Sequence, residues 1–214
     1  MSDPPHDHRP DAGAIPHPHG GHTLSRYAKR SEAIAALLIE KGVLTKDDLT
    51  REIEVMARRS PADGARLVAR AWVDPEFKAR LLADPKAAAA ELGIDATTYA
   101  ELVVAENTET VYHLVVCTLC SCYPRTLLGI PPDWYKSLSY RSRAVSDPRG
   151  VMREFGLELP DSVEVRVLDS TADMRYLVLP RRPPGTEHLT EEQLARLVAR
   201  DSMIGTAQPR FDPV

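Results

Sequence analysis

The feature that most limits the folds open to this chain is a change of rhythm at Tyr99. Upstream, apolar residues recur at three- and four-residue steps (Ile34, Leu37 and Leu38, then Leu49, Ile53 and Met56), the spacing that lines one face of a helix. Downstream, ELVVAEN and TVYHLVV are β-branched runs separated by Asn107-Thr108-Glu109, a turn-like break. Helices first and short strands second predict the α+β class: an N-terminal helical arm and short helices, then a small mixed sheet with flanking helices.

The helical half carries its own punctuation. Thr45 with Asp48 three positions on reads as a capping box that opens the second of two arm helices. PADGARLVARAW, DPEFKARLLAD and PKAAAAELG each begin at an Asp or Pro, and Gly93 closes the last. Beyond the strands come a Pro-bounded turn (GIPPDWY), a helical stretch over 134–155, and two more strands, VEVRVLD at 163–169 and MRYLVLP at 174–180. A last helix, LTEEQLARLVARD, opens at Thr190 with Gln193. These signals divide the chain into a disordered His/Pro-rich tail over 1–22, a helical arm over 23–60, a main domain over 61–206 and a C-terminal tail over 207–214.

Five of the seven histidines (His6, His8, His17, His19 and His22) lie in the tail, where they are either metal-gathering or simply solvated. The apolar stripes of the arm either pack on their own domain or grip a partner chain. With 27% charged residues and a net charge of -4, the chain has no broad basic patch for nucleic acid. It has no apolar run of membrane-spanning length and no signal-peptide pattern, so the expectation is a cytoplasmic protein.

All three cysteines fall in VCTLCSCYP, at Cys117, Cys120 and Cys122. Three cannot all pair within one chain, and the cluster suits a metal or redox site. Three arrangements are open. A structural zinc knuckle draws four ligands from two separated pairs, and no second pair exists; His113 as a fourth ligand sits on an apparent strand. An iron–sulfur cluster also wants four protein ligands. In the third arrangement the three sulfurs and the amide nitrogens of Ser121 and Cys122 make five donors from one loop. Anionic thiolates and amidates favour a trivalent, octahedral cobalt or iron with one open position.

VCTLCSCYP followed by LLGIPPDWYKSLSYRSRAV resembles the metal-binding segment of nitrile hydratase alpha subunits. The likeness runs over roughly 24–206 and takes in AENTETVYHLVV, VEVRVLDSTADMRYLVLP and LTEEQL. The resemblance implies that 61–206 is a metal-binding catalytic domain that adds water to a small nitrile to give an amide. It implies a non-corrin cobalt(III), with iron(III) the less favoured metal, because Thr118 matches the cobalt type. The metal ligands would be Cys117, Cys120, Ser121 and Cys122, with Cys120 oxidised to sulfinate and Cys122 to sulfenate. Cys122 and Ser121 would be the catalytic residues, and Asp169 and Arg175 would support the ligands from behind, unless they are only a surface pair.

Trp134 and Tyr135 read as packing and subunit-contact residues. The resemblance also implies partners: a beta-type subunit, in some relatives split into two chains, whose arginines meet the oxidised sulfurs, and a cobalt-delivery activator protein. Two positions depart from the family pattern, and the first of them is shared with gamma subunits of thiocyanate hydrolase, which is the alternative reading. Arg125 replaces a family tryptophan, which makes it the substrate-specificity residue, and Thr98 stands near the place of a family glutamine. A non-catalytic Cys-rich metal-binding module is the alternative of another class.

Overall fold

The computed structural model describes residues 26–120 and 122–211. The tail histidines and Ser121 lie outside the described residues. Contacts group the chain into a unit ending at Leu49 and a second from Thr50 to Val214.

The first unit carries α1 (Arg26–Glu40) and the opening of α2 (Lys46–Arg58). The capping box at the start of α2 is formed: Thr45 N–H donates to Asp48 Oδ2 (3.0 Å), and Asp48 N–H donates to Thr45 Oγ1 (3.1 Å). Neither helix has a buried residue, and Ile34 and Ile53 are 59% and 55% exposed.

In the second unit the Asp-Pro signals work as read. Asp74 accepts from Phe77 N–H and Asp84 from Ala87 N–H, each followed by a proline in the first helical turn. They start α4 (Pro75–Ala83) and α5 (Pro85–Glu91), which follow α3 (Ala62–Val73). One face of α3 buries Leu67, Val68 and Ala71 against a core that includes Phe77, Leu81 and the strands.

The α+β class stands, but the strand pairing is simpler than a mixed sheet. β1 (Glu101–Glu106) pairs parallel with β4 (Met174–Leu179), and β2 (Val111–Val116) pairs parallel with β3 (Glu164–Asp169). Among the described residues these are two separate two-stranded sheets. A β1–β2 hairpin would call for a short turn that tolerates positive φ, and Asn107-Thr108-Glu109-Thr110 has no glycine. Asn107 instead crosses between the pairs: its N–H donates to Leu179 O (2.9 Å) on one, and its Oδ1 accepts from His113 N–H (2.8 Å) on the other. β2 is buried from Tyr112 to Val116, which suits a strand with core on both faces.

Between β2 and β3 lie α6 (Arg125–Leu128), α7 (Asp133–Lys136), α8 (Leu138–Ser146) and α9 (Pro148–Glu154). The last helix differs from expectation. It ends at Leu197 as α10 (Glu191–Leu197), Val198 is extended, and α11 (Arg200–Ile204) starts anew. On an unbroken helix at roughly 100° per residue, Met203 would sit about half a turn from Leu194. The break allows both to be fully buried. Gly205 then passes so close to β2 that a Cβ would lie 1.9 Å from His113 O, at a φ of 94° that only glycine adopts freely.

Candidate metal centre

The cysteine loop starts where β2 stops. Val116 is fully buried, and its carbonyl accepts from Ser170 N–H (2.7 Å), the last rung of the β2–β3 pair. The register puts Asp169 opposite Val116, so a residue far away in sequence arrives beside the loop. There its Oδ1 accepts from Thr118 N–H (2.9 Å) and its Oδ2 from Thr118 Oγ1 (2.6 Å).

The three sulfurs converge. Cys117 Sγ lies 3.5 Å from Cys120 Sγ, which lies 3.1 Å from Cys122 Sγ, and all three fall within 4.8 Å of one another. Cys117 is fully buried and Cys120 exposed, so the cluster runs from core to surface. Burial pushes the Cys122 thiol up to about 12, with the Cys120 sulfur adding to the rise and Arg175 opposing it. A metal taken up here therefore displaces protons, and uptake weakens as the pH falls. Three soft sulfur donors converging on one loop fit a transition metal. His113 does not join them. It is buried, and its Nδ1 lies 3.1 Å from Asn107 Oδ1. Because that oxygen already accepts from His113 N–H, Nδ1 is the protonated ring nitrogen.

A cavity of about 280 Å³ opens on the other side of the loop. Cys120, Cys122, Thr98, Arg59, Arg125 and Arg175 line it, and among the described residues no carboxylate does. Two larger cavities, of about 330 and 370 Å³, meet at Asn107 and Pro180–Arg182, away from the cysteines. Arg125 opens α6 and is exposed. Arg175 donates through Nη1 to the carbonyls of Thr171, Ala172 (2.9 Å) and Met174 (3.2 Å), while its buried Nε has no partner among the described residues. Among the described residues no hydrogen bond or ion pair joins Asp169 to Arg175.

The geometry also gives Tyr135, read from the sequence as a packing residue, a contact with the loop, and it brings in Tyr140 and Arg141, which local sequence reading does not reveal. Tyr135 is fully buried, and its hydroxyl donates to Cys122 O (2.9 Å). Tyr140 donates to Val115 O (2.6 Å), and Arg141 reaches the carbonyls of Cys117 and Thr118. Trp134 packs in the same aromatic group, 4.9 Å from Tyr140 and 4.7 Å from Phe155 between ring centres. Tyr140 and Arg141 stood in the sequence only as letters of LLGIPPDWYKSLSYRSRAV, which carries no spacing signal of its own.

Residues 25–207 match the family described as nitrile hydratase, alpha chain. The chain belongs to that family. It is 50% identical over 203 residues to the low-molecular weight cobalt-containing nitrile hydratase subunit alpha of Rhodococcus rhodochrous, covering 94% of this chain and 96% of that one. It is 44% identical over 189 residues to thiocyanate hydrolase subunit gamma of Thiobacillus thioparus, covering 83% and 78%. Among solved structures, an iron-type nitrile hydratase of Comamonas testosteroni Ni1 with two histidine substitutions superposes with a TM-score of 0.80 at 43% identity, covering 85% of this chain and 89% of that one. The nitrile hydratase family thus includes relatives named for cobalt and for iron. In this alpha-family chain no helix among the described residues is long and apolar enough to cross a membrane.

Proposed function

We propose that this chain is the metal-binding subunit of a cytoplasmic nitrile hydratase, which adds water across the C≡N bond of a small nitrile to give an amide. The observation that carries the reading is the convergence of three cysteine sulfurs on one loop of a nitrile hydratase alpha-family chain. Cys117, Cys120 and Cys122, with the amide nitrogens of Ser121 and Cys122, would hold a non-corrin cobalt(III). The identity to a cobalt-named relative and the presence of Thr118 support cobalt over iron. What such an ion supplies when bound is Lewis-acid activation of a small polar substrate.

The protein's own groups do the rest. Cys122 lines the cavity, where its oxidised sulfur acts as nucleophile or base. The Ser121 hydroxyl holds the water or the substrate by a hydrogen bond. Asp169 fixes the Thr118 peptide, and Arg175 brings positive charge toward Cys122. The water oxygen ends on the nitrile carbon and its protons end on nitrogen, so no oxidant or reductant is consumed. Oxygens on Cys120 and Cys122 would call for cationic donors, and a beta-type partner subunit, in one or two chains, would add its own to those of this chain. A cobalt-delivery activator protein would load the site.

A second reading, the gamma subunit of a thiocyanate hydrolase, is favoured by one observation: Arg59, Arg125 and Arg175 surround the cavity with no carboxylate among its described lining. Such a lining attracts an anion. One preparation tests both. The chain produced with its partner subunits is analysed for cobalt, for oxygen added to the Cys117–Cys122 peptide, and for turnover of nitriles and of thiocyanate. About one cobalt per chain, oxygen on Cys120 and Cys122 but not on Cys117, and amide from nitriles are expected. Thiocyanate hydrolysis without nitrile hydration reverses the order of the two readings, and zinc with bare cysteines supports a non-catalytic module.

A further inference from the structure

Sulfur atoms brought to 3.1 and 3.5 Å of one another set narrow limits on the shape of the loop. Something in the protein has to hold the backbone that carries them. The hydrogen bonds of segment 115–122 show what does. Tyr140 and Arg141 are neighbours in the first turn of α8, a helix capped by Ser137, whose side chain accepts from Tyr140 N–H (3.1 Å). Tyr140 takes the Val115 carbonyl. Arg141 takes the next two beyond Val116 with two separate nitrogens: Nε donates to Cys117 O (3.0 Å) and Nη2 to Thr118 O (2.5 Å). Tyr135, one helix earlier, takes the Cys122 carbonyl.

We infer that Arg141 is a positioning residue for the metal centre, setting the orientation of the Cys117 and Thr118 peptides and with it the approach of the three sulfurs. The inference rests on the reading that these cysteines hold a metal. Thr118 shows why the arginine matters most. Its N–H and hydroxyl go to Asp169 and its carbonyl to Arg141, so the residue is gripped from the β3 end and from α8 at once. A planar guanidinium fixes the angle between two consecutive carbonyls, whereas an ammonium offers a single compact charge without that fork. Arg143 on the same helix is a built-in comparison, since it pairs with Glu154 and Asp147.

The test uses the full chain assembled with its partner subunits and loaded with cobalt, in wild-type form and as Arg141→Ala, Arg141→Lys and Arg143→Ala. Cobalt retained over time against a chelator, and the sulfur-to-metal absorption bands, are read alongside thermal unfolding. Losing one support behind a ligand typically weakens metal binding about 10- to 100-fold. Arg141→Ala should lose cobalt faster by that order with displaced bands, and Arg141→Lys should fail to rescue it although it keeps the charge. Arg143→Ala should match wild type. If Arg141→Ala does not fold, Arg141→Lys decides: wild-type retention and spectrum in that variant overturn the inference. If wild type itself holds no cobalt, the metal reading falls and this one with it. Cobalt held equally by wild type and both Arg141 variants overturns this inference alone.

Discussion

The two sides of the cysteine loop are built on opposite rules. Behind it, the carbonyls of Val115, Cys117, Thr118 and Cys122 and the amide and hydroxyl of Thr118 all have named partners from the chain's own side chains. In front, Arg59, Arg125 and Arg175 line a cavity with Cys120 and Cys122, and its described lining contains no carboxylate. Satisfied hydrogen bonds make the back a rigid template, because an amide or carbonyl deprived of its partner costs free energy at once. The front gains nothing from like charges standing together, so its arrangement makes sense only with an anionic or electron-rich group among them. The difference separates what this subunit supplies alone, the shape of the chelate, from what must arrive from outside.

The comparison breaks most completely at the ligands themselves. Cys117→Ala, Cys120→Ala or Cys122→Ala should each abolish tight metal retention, since the loop has no spare sulfur, and metal analysis after chelator treatment reads the result. Full metal content in any one of them would remove that cysteine from the site.

A front-side change should leave the back untouched. Arg125→Trp exchanges a permanent charge for an apolar ring at the cavity. If thiocyanate is the substrate, KM should rise about tenfold or more with metal content and melting temperature unchanged. If neutral nitriles are the substrates, the variant should instead change the preference among nitriles of different size. A fall in metal content would show that front and back are not separable.

A back-side change should do the reverse. Asp169→Ala frees the Thr118 N–H and hydroxyl, and because Asp169 is exposed, water compensates in part and the loss of stability should be about 1 kcal/mol. Chemical denaturation reads that loss, and the metal should leave faster while KM for the substrate stays near wild type.

The smallest effect lies at the other end of β2. Burial holds the His113 imidazole below its ordinary pKa of 6.5, with Arg166 pushing the same way and Glu164 opposing. As the pH falls through about 6.5 the unfolded chain takes a proton before the folded one does. Stability should therefore be complete above that pH and decline below it. His113→Gln should flatten this slope in denaturation curves taken between pH 8 and pH 5.5.

How much of this was legible from the residues alone follows the range of the forces involved. Helix starts are local. An aspartate three residues from the N–H it caps, with proline beside it, states its own role at Asp74 and Asp84, as does the Thr45–Asp48 box. The cysteine spacing is local too, and it marked the three sulfurs that meet in one place. Strand pairing is not local. The runs around β1 and β2 are adjacent in sequence yet pair with β4 and β3, because the backbone partners of a strand are chosen by what the rest of the chain buries around it. The α10–α11 break has the same origin, since Leu194 and Met203 reach the core together only if the helix is interrupted.

The sequence by itself therefore determined the donors, the helix boundaries set by caps and the α+β order of elements, each written in contacts of a few residues. The tertiary structure alone decided that Asp169 stands opposite Val116 by strand register and that Arg141 turns its guanidinium onto the Cys117 and Thr118 carbonyls. Those contacts join residues far apart in the chain. Their energy depends on burial and direction, which no spacing between letters contains.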